Sequence, residues 1–326
     1  MPRIVTVANL KGGIGKTTTV INIGAGLALR GVKVLMVDTD PQGNLSSSLG
    51  VQAKHTLYEL IIEGMDAARC IVPTRHNLDL VVADTTLLSA QTTMSRGADW
   101  GRTLEKALAP IADYYDMILL DSSGSLTPMN ANALVAADDI IAPTTVELFS
   151  IRGIELLHKQ IEQMKGNTDA IRLIVPTMYD PRSRQALDLL EGLQASYGSK
   201  VTPPIRTNVR LSESPRYGKS IFEYDPECRG AEDYRILVDR IIDTLRITPT
   251  GAARPSIHDR NRPTSIFESS QKEGKTDPYS RPAPTYELQV CPRCGRDVRY
   301  TNAAGYRIMI CNSCGYTKQT LTRNVR

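Results

Sequence analysis

An α/β fold, with a mostly parallel, doubly wound sheet and a small module behind it at the C-terminus, is predicted by three features of the sequence. Short β-branched runs alternate with helix-period stretches through most of the 326 residues, a glycine-rich turn joins the first strand to the first helix, and two Cys-x-x-Cys pairs come near the end. Strands alternating with helical crossovers produce a parallel sheet covered on both faces.

The elements follow in order. Residues 4–8 form an apolar strand, residues 17–29 carry a helical pattern, and residues 34–37 form a second strand, which together make a βαβ opening. The alternation resumes with a helix over 104–111, a strand over 117–120, a helix over 130–137, a strand over 140–143 and a helix after Ser150. A strand over 171–175, a helix over 186–197 and a closing helix over 231–245 complete the pattern. Beyond it, residues 248–285 are dominated by Pro, Ser, Thr, Lys and Arg, the composition of a linker. The expected organisation is an α/β domain over 1–247, a flexible linker over 248–287 and a terminal module over 288–326.

With 41% hydrophobic and 23% charged residues the chain has the composition of a folded globular protein, which excludes fibrous and wholly disordered classes. No run approaches the roughly 18 apolar residues of a membrane span, and no signal-peptide pattern precedes the first strand. A cytoplasmic protein is expected. The net charge of +4 conceals an asymmetry: residues 247–326 carry 13 Lys+Arg against 6 Asp+Glu, a net +7, which leaves −3 for residues 1–246. A basic tail on a near-neutral body suits an acidic partner.

Directly after the first strand comes Lys11-Gly12-Gly13-Ile14-Gly15-Lys16-Thr17-Thr18, and a helix follows. Glycines let successive backbone N–H groups turn inward around phosphate oxygens, Lys16 supplies charge, and the Thr17 hydroxyl suits Mg²⁺. This is a P-loop in the right context, although the first glycine of the usual pattern would fall at Leu10. Two more strands end in acids: Asp38-Thr39-Asp40 after the second, and Asp121 after residues 117–120. Carboxylates at such strand ends beside a P-loop orient Mg²⁺ or water. Asp121 fits the Mg²⁺ role, and Asp38 is read as structural.

The string from Lys11 to Thr17 resembles the deviant Walker A motif of the ParA/MinD family of ATPases. Thr177-Met178-Tyr179-Asp180, then the run from Asn208 to Pro215, and Tyr224-Asp225-Pro226 resemble its ParA/Soj partition branch, so the likeness covers about residues 1–246. The resemblance implies a P-loop NTPase sheet and a nucleotide-sandwich dimer formed on MgATP. In such a dimer Lys11 reaches the partner's phosphates and Asp40 positions the attacking water. Thr177, Met178 and Asn208 would lie near the adenine. The branch binds DNA without sequence preference, and five cations between residues 200 and 219 (Lys200, Arg206, Arg210, Arg216 and Lys219, against Glu213) offer phosphate contacts; Arg210, Arg216 and Lys219 are the expected DNA-binding residues. The implied function is ATP hydrolysis, stimulated by a ParB-like or cargo-adaptor protein, that partitions or positions DNA or another cargo, with nucleoid association in the ATP state. The chain departs from the branch at residues 122–124, Ser-Ser-Gly where two prolines are usual, and at Arg206, where a proline is usual.

Cys291 and Cys294, then sixteen residues, then Cys311 and Cys314 have the spacing of four thiolates around one tetrahedral zinc. The expected module is a zinc ribbon whose hairpin strands include Arg299-Tyr300 and residues 306–310. Two other readings of the whole chain remain at this point: a nucleic-acid-binding regulator that uses ATP as a switch, and an iron-sulfur carrier ATPase. Membrane placement of the MinD kind needs a C-terminal amphipathic helix, and the sequence ends instead in the ribbon and residues 321–326.

Overall fold

The computed structural model describes residues 2–95, 99–166, 169–250 and 256–257, and the backbone of three strands nearer the C-terminus. Two compact units result, Met1–Thr264 and Ser265–Arg326.

In the first unit the elements are β1 (Arg3–Val7), α1 (Lys16–Leu29), β2 (Val34–Asp38), α2 (Asn44–Leu49), α3 (Leu57–Ile61), α4 (Ala67–Cys70), β3 (Ile71–Arg75), β4 (Leu78–Val81), α5 (Leu87–Met94), α6 (Thr103–Leu108), β5 (Met117–Asp121), α7 (Pro128–Ala136), β6 (Asp139–Thr145), α8 (Leu148–Lys165), β7 (Ile171–Thr177), α9 (Arg184–Tyr197), α10 (Val209–Glu213), α11 (Ile221–Tyr224) and α12 (Arg229–Leu245). Seven strands pair in the order β3-β4-β2-β5-β1-β6-β7. All pairs are parallel except β3 with β4, so the expected doubly wound sheet is present with one antiparallel edge.

Alternate residues of the central strands feed different cores, as the pleat requires. Val34, Met36, Met117 and Leu119 pack with α1 and α12, while Leu35, Val37, Ile118 and Leu120 pack on the opposite face. Both edges are protected. Pro73 and a bulge interrupt β3, and β7 is flanked by single bridges from Ile174 to Val201 and from Tyr179 to Arg206.

Three sequence expectations change. The helix expected over 104–111 stops at Leu108 and tightens into a 3-10 turn, Ala109–Tyr114, because Pro110 has no N–H to continue the α ladder. Residues 44–103, for which the sequence pattern predicts no element, hold α2 to α5 together with β3 and β4; these pieces are too short for a periodicity signal. The linker expected from residue 248 does not begin there. Thr250 Oγ1 donates to Asp116 Oδ1 at 2.7 Å, and Ile257, 1% exposed, is buried in the core beneath β2 and β5.

In the second unit β8 (Arg299–Ala303), β9 (Tyr306–Ile310) and β10 (Thr317–Leu321) form an antiparallel sheet in the order β10-β9-β8. The expected hairpin is present, and β10 adds a third strand to it. Cys291, Cys294, Cys311 and Cys314 lie outside the described residues.

Candidate nucleotide site

The loop from β1 to α1 leaves the sheet at the C-terminal ends of the strands, where open α/β sheets bind ligands. Gly13 and Gly15 adopt φ of +72° and +85°, the left-handed region that glycine enters without strain. A Cβ placed on Gly12, Gly13 or Gly15 would meet nothing within 4 Å. The loop backbone therefore faces open space, a cleft of about 610 Å³ also lined by Lys16, Thr17, Thr18, Asp40 and Gln42. The loop is anchored from outside: Thr177 Oγ1 donates to Ile14 O at 2.9 Å, and Lys11 N donates to Asn9 Oδ1 at 3.2 Å. Lys16 Nζ donates to Lys11 O at 2.8 Å. Burial pulls the Lys16 ammonium below the usual lysine range, while Asp121 and Asp40 draw it part of the way back.

Strand register gathers the acids. Asp121 at the end of β5 pairs with Val7 of β1 on one side and Asp38 of β2 on the other. Asp38 accepts from Asp40 N at 3.0 Å and Leu45 N at 3.1 Å, so it builds the turn that carries Asp40 to the cleft, the structural role read from the sequence. Asp121 is 1% exposed, and neither carboxylate oxygen has a hydrogen-bond partner. Burial pushes it up to about 7, Asp40 adds to the rise, and the nearby Thr17 hydroxyl and Lys16 ammonium oppose it. An orphaned buried carboxylate beside a Thr hydroxyl and an anion cradle fits Mg²⁺, which when bound neutralises phosphate charge. Thr17 and Asp121 would hold it.

Residues 122–125 also line the cleft; the sequence marked residues 122–124 as a departure from the branch and did not mark them as site residues. Gln42, Asn44 and Ser48 also line it; only their position after the Asp40 strand end could have marked them. A second pocket of about 580 Å³ shares Gly15 and Thr18 with the first and is lined by Thr177, Met178, Arg206, Asn208 and Tyr234. The expected adenine residues thus border one space next to the phosphate loop. Met178 holds a left-handed φ of 53°, and Asn208 caps α10 by accepting from Arg210 N at 2.8 Å. Arg206 is tied to α12 through Asp233 and Glu232, its guanidinium raised further above its ordinary value by these partners.

Lys11 is absent from the lining of the phosphate cleft. Its ammonium lies 2.8 Å from Glu147 Oε2, just past β6, and 3.4 Å from Thr145 Oγ1, at the end of β6. The expected DNA-binding residues Arg210, Arg216 and Lys219 are all exposed, and Arg210 pairs with Glu213 at 2.9 Å and Asp225 at 3.3 Å. Among the described residues no helix is long and apolar enough to cross a membrane.

Comparison with known proteins gives the family. A family model described as an AAA domain matches residues 2–173. The chain is 35% identical over 261 residues to the chromosome partitioning protein ParA of Caulobacter vibrioides, covering 77% of this chain and 98% of that one. It is 36% identical over 249 residues to the sporulation initiation inhibitor protein Soj of Bacillus subtilis, covering 74% and 98%. The structure of the septum site-determining protein MinD from Pyrococcus horikoshii, in complex with Mg-ADP, superposes with a TM-score of 0.65 at 25% identity, over 76% of this chain and 98% of that one. With its P-loop, strand-end acids and sheet order, this chain belongs to the ParA/Soj/MinD-type family of P-loop partition ATPases.

Proposed function

We propose that the chain dimerises on MgATP, binds DNA without sequence preference in that state, and hydrolyses ATP when a ParB-like or cargo-adaptor protein stimulates it, so that DNA or another cargo is partitioned or positioned. Its place is the cytoplasm, on the nucleoid when ATP is bound. The position of Lys11 carries this reading. Lys16 already serves the subunit's own cradle, whereas Lys11 sits beyond the cleft on Glu147 and Thr145. A second cation at the transferring phosphate stabilises its charge as an arginine finger does, and a cation outside its own cleft suits a partner's.

In this reading Lys16 and residues 12–18 bind the phosphates, Asp40 orients the attacking water, and Met178 and Asn208 border the base. The test is a mixing experiment. Lys16→Ala abolishes nucleotide binding. Lys11→Ala and Asp40→Ala each bind ATP and fail to turn over, and Asp40→Ala accumulates as a dimer with MgATP on sizing. Mixing the last two restores part of the rate, because one composite site then has its own Asp40 and the partner's Lys11. Absence of any recovery on mixing rejects action in trans.

The terminal unit is read as a four-cysteine zinc ribbon held by Cys291, Cys294, Cys311 and Cys314. Its support is the cysteine spacing together with β8 and β9, which lie between the two pairs. About one zinc per chain by metal analysis is expected; a brown, iron-containing protein would favour the carrier reading instead.

A further inference from the structure

We propose that Asn130 is the residue that positions the residue 122–125 wall of the phosphate cleft for hydrolysis. It sits in the first turn of α7, 3% exposed. Its backbone N donates to Thr127 Oγ1 at 3.1 Å, the N-cap of the helix. Its side-chain Nδ2 donates to Ser125 O at 2.7 Å and reaches Ser123 O at 3.4 Å. Both neighbours are carbonyls, so the amide nitrogen must be the end that faces them.

The loop it grips is pressed against the phosphate cradle. Ser122 Oγ donates to Val7 O at 2.8 Å, and a Cβ on Gly124 would come within 3.1 Å of Gly12 N and 3.3 Å of Lys11 C. Gly124 therefore lets the loop touch the P-loop backbone directly, and any shift of the loop moves one wall of the cleft. Residues 12–18 and residues 122–125 line the same cleft, and the phosphate-binding glycines and Lys16 belong to the first stretch. Asn130 thus acts through Ser123 and Ser125 on the geometry of the reacting end more than on affinity.

What separates this amide from one that only packs is where its partners lie, since Ser123 and Ser125 both line the cleft. Asn132, two residues on in the same helix, shows the contrast. Its Nδ2 donates to Trp100 O and Pro128 O at 2.9 and 3.0 Å, its Oδ1 accepts from Leu104 N at 3.1 Å, and none of these partners lines the cleft. Preorganised walls contribute to rate by holding the reacting geometry, and a displacement of about 1 Å can cost on the order of a hundredfold.

The inference rests on hydrolysis taking place in this cleft. The experiment uses the full chain and compares wild type, Asn130→Ala, the isosteric Asn130→Asp, Asn130→Thr and Asn132→Ala. It measures kcat and KM for MgATP, Kd for a fluorescent ATP analogue, and amide hydrogen exchange over residues 122–127. Asn130→Ala and Asn130→Asp are expected to lower kcat about tenfold or more with Kd within about twofold, and to speed exchange in the loop. Asn130→Thr, which keeps one donor, recovers part of the rate. Asn132→Ala lowers the melting temperature and leaves the kcat of folded protein within about twofold. A folded Asn130 variant with wild-type kcat, or one that loses kcat and affinity in equal proportion, overturns the inference alone. A wild type that binds ATP without turning it over overturns the reading of the cleft as well.

Discussion

Asp38 and Asp121 are register partners at the ends of β2 and β5, two buried acidic residues on adjacent strands. Burial and the neighbouring Asp121 push Asp38 well above the usual carboxylate range, against the two backbone N–H groups it accepts from. A cation is the natural counterpart of such a pair, and the pair makes the nucleotide-free protein sensitive to pH. Asp121 holds its proton more tightly in the folded chain, about 7 against an ordinary 3.8. Its contribution to stability is thus full below about pH 4 and is lost as pH rises through about 7. Urea midpoints of nucleotide-free wild type should fall between about pH 5 and about pH 8 more steeply than those of Asp121→Asn. Equal slopes would show that Asp121 does not titrate in this range.

Arg206 is bonded to Asp233 twice over, by its backbone N at 2.8 Å and by its guanidinium at 2.6 Å. The backbone bond is one that a proline at this position could not make. Asp233 has a side chain only 6% exposed, so Arg206→Ala leaves a nearly buried carboxylate short of partners and should cost about 1–3 kcal/mol of stability. Because Arg206 lines the second pocket, Kd for ATP should weaken several-fold as well. Denaturant titration and nucleotide titration check the two effects separately; an unchanged Kd would detach this clamp from the base pocket.

The ion pairs separate the DNA-binding candidates. All three candidates are exposed, and Arg210 is ion-paired with Glu213 and Asp225. Arg216→Glu and Lys219→Glu should each weaken binding to random-sequence duplex in the MgATP state, equally for all sequences, and lower the salt slope by about 1 or more. Arg210→Glu should have the smaller effect. Sequence-selective or salt-independent binding would count against phosphate contacts.

Ile257 shifts the place where the chain can be cut. Ending it after Thr264 should leave ATP-dependent dimerisation and basal hydrolysis intact. Ending it after Ile247 removes a buried isoleucine and should lower stability by about 1.5–3 kcal/mol. Thermal melts of the two truncated chains test this, and equal midpoints would show that Ile257 adds nothing to the core.

The P-loop, the acids Asp40 and Asp121 and the central strands were legible in the sequence because each is local: glycines at fixed offsets, an acid at the end of an apolar run, a period that repeats within one element. The cysteine spacing is local in the same sense. What the sequence could not show depends on atoms far apart along the chain. Register decides that Asp38 and Asp121 are neighbours, 83 residues apart in numbering. Tertiary packing brings Glu147 to Lys11, Asp233 to Arg206 and Ile257 back onto β2 and β5. The same holds for Gly124 and Asn130. A Ser-Ser-Gly-Ser loop has no preferred shape, and it becomes a wall of the cleft only when α7 supplies the amide that holds its carbonyls and Gly12 lies so close that a Cβ on Gly124 would press on its backbone.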